Sequence, residues 1–275
     1  MEKVFLKLGG AILTYKDTGD FPLELEKIKK QADYFINQKE FYRILSEELL
    51  PTINSVDMPF LAVGVGPFGH RLVYAKALDK EIHKSVSIYA LQLSKYSYLS
   101  NQRQLLPIVY REAHSPNKTC SYQTIGGERK LVMDDLIETI YLLNEEGKKL
   151  LVHGDVIPDY TDGNMKVLSM DEGVVELAIQ MKADRIVMAT GVDGFYDRPP
   201  IWGAKLIREI KADEEITAKV KPTYKDVTGS LPDKVRALQR AAKMGIPGKI
   251  VNGFKRGYIR KALLGEEVEG TAVLP

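Results

Sequence analysis

Lys7 stands inside the apolar run Val4–Leu8 and is followed at once by Gly9 and Gly10. A lysine is almost never buried without a partner. One whose tip reaches a glycine turn is well placed to hold a phosphate, because small residues let backbone N–H groups approach an anion closely. The competing reading is an edge strand whose lysine reaches back to water. Gly64-Val65-Gly66-Pro67-Phe68-Gly69-His70 follows a second apolar run, Phe60–Val63. Its His70 is placed either to donate to a phosphate oxygen or to be satisfied by local hydrogen bonds. Gly154-Asp155 follows a third run, Leu150–Val152. There the carboxylate either orients donors and holds lysines apart, or simply forms the turn. Lys234 lies in the first turn of a helix opened by Asp226–Asp233, with Ser230 and Asp233 as a capping pair. Its charge opposes the helix dipole by a few tenths of a kcal/mol or more, and an anion bound at that helix start would reverse the penalty. A solvated surface lysine is the alternative. Taken alone, Lys16 reads as an ordinary loop lysine. Asp171 is ambiguous as well, since acidic residues favour the first turn of a helix anyway.

Such charges need a frame to bring them together. Five short apolar runs, Val4–Leu8, Phe60–Val63, Leu150–Val152, Arg185–Ala189 and Lys249–Val251, each end in a turn carrying glycine. They are too short for helices and apolar on both faces, as buried parallel strands are. Helical patterns lie between them. Val174, Leu177, Ala178 and Met181 share one face behind a Ser169/Glu172 capping box. Val235, Leu238 and Ala242 share another, stopped by Gly245. Leu136, Ile137, Ile140 and Tyr141 share a third, stopped by Gly147. Alternating strands and helices predict a parallel, doubly wound α/β sheet. Its ligands bind beyond the carboxyl ends of the strands, so all five glycine turns should line one face. Residues 71–130 hold a helical stretch, several tyrosines and a polar loop over Ser115–Ser121. The whole reads as one continuous domain with two lobes.

Composition narrows the chemistry. The chain has 275 residues, 44% of them hydrophobic and 28% charged, as a water-soluble globular domain has. Its 39 basic and 37 acidic residues leave a net charge of +2, without the basic face of a nucleic-acid binder. The single cysteine, Cys120, makes no internal disulfide, and no Cys/His cluster suggests a metal site. No apolar stretch is long enough for a signal peptide or a membrane span, so a reducing cytoplasm is expected.

Phosphoryl transfer needs cations and donors around the transferring group more than covalent help. Three lysines on glycine turns at one sheet face would supply that charge. The sequence has no Walker A pattern and no protein-kinase catalytic set. Gly64–Gly69 does match the GxGxxG form of a dinucleotide site, which is the rival signal from a different class of protein. That fingerprint also wants an acidic residue ending the next strand about 20 residues on. Asp79 and Glu81 fall in a helical pattern instead. A third possibility is a nucleotide-binding protein without catalysis.

The segments KLGGAILTYKD (7–17), GVGPFGH (64–70), HGDVI (153–157), TGVDGFY (190–196), DVTGSLPDK (226–234) and NG…IRKALLGEEVEGT (252–271) occur in that order. They resemble the amino-acid-kinase superfamily, and within it the isopentenyl phosphate kinases most closely. The fosfomycin kinases share much of the pattern. The resemblance implies a three-layer αβα sandwich with a mainly parallel central sheet, working as a homodimer. It implies ATP with Mg²⁺ and a small anionic acceptor, isopentenyl phosphate or another small phosphate, phosphonate or carboxylate. The acceptor would take the N-terminal lobe (about 1–165) and the nucleotide the C-terminal lobe (about 166–275). Lys7, Gly9, Gly10, Gly229 and Lys234 would then serve the nucleotide phosphates, and Lys16 the transferring phosphoryl. Thr190, Asp193 and Tyr196 would lie near the nucleoside. Val65, Gly66, His70, Gly154 and Asp155 would hold the acceptor phosphate. Departures from the family pattern are Ala11 for a serine, Val65 and Pro67 in the second loop, Gly191 for an aspartate, and Ser230-Leu231 for Gly-Met. The usual substrate-lobe pattern is missing from residues 84–125.

Overall fold

The computed structural model describes residues 1–15, 20–74, 79–102, 112–114, 116, 119–198, 203–216 and 231–275. The chain opens with β1 (Glu2–Leu8), α1 (Gly10–Leu13), α2 (Leu25–Phe35) and α3 (Gln38–Arg43). A π-helical turn over Ile44–Leu49 and a 3-10 turn over Leu50–Thr52 continue α3. β2 (Val56–Asp57) and β3 (Phe60–Val63) lead into α4 (Pro67–Tyr74) and α5 (Asp79–Gln102). Then come β4 (Glu112–His114), the hairpin of β5 (Ser121–Ile125) and β6 (Glu128–Val132), α6 (Asp134–Glu145) and β7 (Leu150–His153). A second hairpin, β8 (Asp155–Asp159) and β9 (Asn164–Leu168), precedes α7 (Met170–Gln180) and β10 (Arg185–Thr190). β11 (Glu209–Lys211), α8 (Leu231–Lys243), β12 (Gly248–Asn252), α9 (Tyr258–Leu264) and β13 (Thr271–Leu274) complete the order.

The five apolar runs are β12, β10, β1, β3 and β7, side by side in that order and all parallel. β4 extends the sheet beyond β7, and β2 pairs with the start of β1. At the other end β13 runs antiparallel to β12, and β11 joins it as the outermost strand. The two hairpins form a separate four-stranded sheet in the order β6, β5, β8, β9. The result is a mixed α/β fold with a mainly parallel central sheet.

Strand parity decides what each side chain meets. Val4, Leu6 and Leu8 enter the core that packs α2 to α5 and α9 against one face of the sheet. Phe5 enters the core beneath α6, α7 and α8 on the other face, edge-to-face with Phe60 at 4.7 Å. Leu61 and Val63, and likewise Val187 and Ala189, divide from their neighbours in the same way. Lys7 shares the parity of Phe5, so its side chain leaves β1 on the α7 side.

Asp79–Gln102 forms the 24-residue α5, as the helical pattern at Asp79 and Glu81 predicts, so the strand that the dinucleotide fingerprint requires is a helix here. Other local expectations change. Ser121 begins β5 rather than closing a loop. Tyr141 is 46% exposed, off the buried face of α6 that Leu136 and Ile140 make. Ser169 does cap α7, but its hydroxyl accepts from Asp171 N, and Glu172 accepts instead from Tyr122 OH at 3.0 Å. Among the described residues no helix is long and apolar enough to cross a membrane.

Candidate active site

Lys7 is 4% exposed, and its Nζ lies 2.7 Å from Asp171 Oδ1. Lys234 Nζ donates to Asp171 Oδ2 at 2.9 Å. One buried carboxylate therefore separates and orients two ammonium groups from β1 and α8. Asp171 is the second residue of α7, where the helix dipole favours a negative charge. Burial alone would raise its carboxyl, but Lys7 and then Lys234 overcome this and hold it below the ordinary carboxylate range. The edge-strand reading of Lys7 fails, since the side chain turns inward to an ion pair rather than outward to water. The first-turn lysine of α8 has its anion within the protein. Asp171, undecided from sequence, is the pivot of the site.

The glycine turns come together around these lysines. Gly9–Ala11, Gly64–Gly66 and Thr190–Val192 surround a cleft of about 350 Å³ with Lys7, His70 and Lys234, and Phe254 stands on its wall. Gly9 N donates to Ala189 O and Gly64 N to Leu8 O, both at 2.8 Å, which ties each turn to the neighbouring strand. The first two turns interlock. A Cβ on Gly10 would lie 2.6 Å from Gly66 N, and one on Gly64 would lie 2.6 Å from Gly10 N. Gly66 has φ +53°, and a Cβ there would also strike the Thr14 side chain. The serine-to-alanine and aspartate-to-glycine departures meet here. A Cβ on Gly191 would touch the Phe254 ring and Ala11 Cβ at 3.5 and 3.6 Å, ordinary contact distances.

His70 is half-buried in the first turns of α4, where its N–H bonds Gly66 O at 3.1 Å and its side chain lines the cleft. Pro67 opens that helix, a position where no intrahelical donor is needed. Gly154 and Asp155 border a smaller apolar pocket that shares Lys7, Gly64 and Val65 with the cleft. Val73, Ile82, Val86 and Val167 give it its character. Asp155 is buried, its Oδ2 lies 3.0 Å from His83 Nδ1 and its Oδ1 accepts from Val156 N. In these contacts it meets a histidine from α5, and Asp171 takes the place between lysines.

Thr190 Oγ1 donates to Val192 O at 2.8 Å and shapes the cleft's third turn. Asp193 turns toward Lys255, 2.7 Å away, and accepts from Asn252 Nδ2 and Tyr196 OH. The hydrogen bond from Lys255, aided by Asn252, outweighs desolvation and holds the Asp193 carboxyl low. Lys16 and Gly229 lie outside the described residues. Sequence reasoning did not single out His83 or Phe254.

The whole chain has relatives. It is 26% identical to an isopentenyl phosphate kinase of Methanothermobacter thermautotrophicus, over 98% of each chain. It is 29% identical to an isopentenyl phosphate kinase of Methanocaldococcus jannaschii, over 98% of this chain and 97% of that one. An X-ray structure of an isopentenyl phosphate kinase superimposes with a TM-score of 0.64 at 25% identity, over 98% of this chain and 99% of the other. Residues 2–252 match the amino acid kinase family, so nearly the whole sheet and all of the lysine–aspartate cluster fall within the match, and the chain belongs to that family.

Proposed function

We propose that this protein transfers the γ-phosphoryl group of ATP to isopentenyl phosphate, giving isopentenyl diphosphate and ADP. The observation that carries the reading is the Lys7–Asp171–Lys234 cluster, aimed into a cleft walled by three glycine turns and opening beside an apolar pocket. The cleft suits polyanionic phosphates, and the apolar lining of the pocket suits the hydrocarbon end of an acceptor. The names of the nearly full-length relatives support the same acceptor.

In this reading Lys7, Gly9, Gly10 and Lys234 hold the nucleotide phosphates, and Gly229 is assigned to the same phosphates. Asp171 holds both ammonium groups apart and oriented, so they are in place before the transition state forms, which is where preorganised charge lowers a barrier. Lys16 is assigned to the charge that develops on the transferring phosphoryl. The acceptor phosphate would sit against Val65, Gly66 and Gly154, with His70 donating to its non-transferring oxygens and Asp155 holding the α5 side through His83. A phosphate monoester is already an anionic nucleophile at neutral pH, so no strong general base is required. Thr190, Asp193 and Tyr196 would flank the nucleoside.

Mg²⁺ must be judged from the donors present. Among the described residues no group of three His, Cys, Asp or Glu side chains could hold a metal ion. Asp171 and Asp155, which line the smaller pocket, are engaged by the lysines and by His83. The described residues therefore offer Mg²⁺ no ligand set of their own, and it would enter on the phosphate oxygens of ATP.

An ADP-release assay against isopentenyl phosphate and a panel of small phosphates, phosphonates and carboxylates tests the proposal. Isopentenyl phosphate should give the highest kcat/KM. Phosphorylation of a different acid with isopentenyl phosphate ignored would leave a kinase with another acceptor. ATP binding without ADP release on any acceptor would leave a nucleotide-binding protein.

A further inference from the structure

Glu48 lies in the π-helical turn Ile44–Leu49 with its side chain 0% exposed. Its Oε1 meets Arg43 Nη1 at 2.7 Å, and Arg43 also pairs with Glu40. The same carboxylate accepts the backbone N–H of Gly257 at 2.7 Å and of Arg260 at 2.9 Å. Gly257 is the N-cap of α9 and Arg260 its third residue. The N-cap glycine, at φ 78°, has no side chain with which to satisfy these donors. Glu48 thus does from a distant segment what a capping box does locally. Arg43 Nη2 donates to Gly253 O at 2.5 Å, across 210 positions of sequence. Two neighbouring residues of the N-terminal lobe therefore grip both ends of Gly253–Gly257.

The other side of that segment is bound to the turn expected near the nucleoside. Gly253 N donates to Thr190 O at 2.8 Å, Asn252 Nδ2 to Asp193 at 2.9 Å, and Lys255 pairs with Asp193 at 2.7 Å. At its centre Phe254, 45% exposed, stands on the cleft wall. A buried ion pair adds little net stability over apolar side chains of the same volume. What Arg43 and Glu48 supply is a fixed geometry for this segment.

We propose that Arg43 and Glu48 are positioning residues that set the nucleotide-side wall of the cleft by holding Phe254 in place. The inference rests on reading the cleft as the ATP site. Calorimetric titration of ATP into wild type, Arg43→Lys, Glu48→Gln and Phe254→Ala tests it, alongside melting curves and the KM for isopentenyl phosphate. Lysine keeps the charge but cannot reach Glu48 and Gly253 O together. Losing that charge-assisted hydrogen bond should raise the ATP Kd by about tenfold or more, with the acceptor KM within about twofold of wild type. Phe254→Ala should raise the ATP Kd in the same sense. An Arg43→Lys protein that melts earlier but binds ATP as wild type does reduces the pair to packing. If Arg43→Lys does not fold, Glu48→Gln and the exposed Phe254→Ala carry the comparison. An unchanged ATP Kd in Phe254→Ala overturns the inference alone, because nothing on that wall then needs positioning. Wild type that binds no ATP sinks the kinase reading and this one together. Wild type that binds, with all variants matching it, sinks only this one.

Discussion

Replacing Asp171 by asparagine removes the negative charge that Lys7 and Lys234 share while leaving the side chain's size unchanged. The two Nζ atoms lie 2.7 and 2.9 Å from its two oxygens. Two unit positive charges about 5 Å apart repel by about 3 kcal/mol at an effective dielectric of about 20. The amide leaves that repulsion uncompensated and can accept from only one ammonium. Breaking a buried ion cluster in this way costs about 3–5 kcal/mol. Urea unfolding of Asp171→Asn should therefore show a loss of that size in ligand-free protein. Pyrophosphate, entering as the missing counter-charge, should restore more stability to the variant than it adds to wild type. Turnover should fall by about 100-fold, because displaced lysines misplace the phosphate they hold. Both parts must hold. A variant as stable as wild type without ligand, with turnover within about threefold, would refute the role given to Asp171.

Three further outcomes can be measured directly. His70→Ala should lower kcat/KM for isopentenyl phosphate by about 10- to 150-fold, the worth of a hydrogen bond to a charged group, while ATP binding stays nearly intact. Burial holds the fully buried imidazole of His153 below its ordinary value. The unfolded chain therefore takes up a proton below about pH 6.5 that the folded chain refuses, and stability should fall with falling pH by at most about 1.4 kcal/mol per unit. Denaturation between pH 7.5 and 5.5 should show that slope reduced in His153→Asn, and identical slopes would discard the assignment. Gly10→Ala drives a Cβ to 2.6 Å from Gly66 N, whereas Gly191→Ala meets only contacts of 3.5 and 3.6 Å. The first should lose about 2 kcal/mol or more in urea unfolding and the second about 0.5 or less; equal losses would mean that the two loops are not interlocked.

The five central strands were legible because each is an apolar run between glycine turns, and the parity of Lys7 with Phe5 was present in the letters. Where that lysine goes was not. Asp171 has a local reason to exist at the start of any helix, and nothing in its own neighbourhood distinguishes a dipole partner from the hinge of two lysines. The distinction lies in α7 packing against both β1 and α8, the first contact spanning well over a hundred residues and the second 63. Glu172 shows the converse. Its spacing from Ser169 fits a capping box, yet a tyrosine 50 residues away in β5 competes for it and wins. The Asp155–His83 contact, 72 residues apart, was likewise beyond any local pattern.

The two ends of the nine-stranded sheet bear on how copies of this chain meet. β11 and β4 are three residues each. On β11 the exposed Glu209 and Lys211 flank buried Ile210 and pair with each other at 2.9 Å. A short, charged border such as β11 offers another backbone few unpaired groups to bond, and such borders resist the edge-to-edge growth that leads to fibres. Strand pairing at the β11 border is therefore a poor route to self-association. A peptide designed to add a strand to β11 would find little to hold. Crowded or heated samples should lose activity by unfolding before they lose it by stacking sheets.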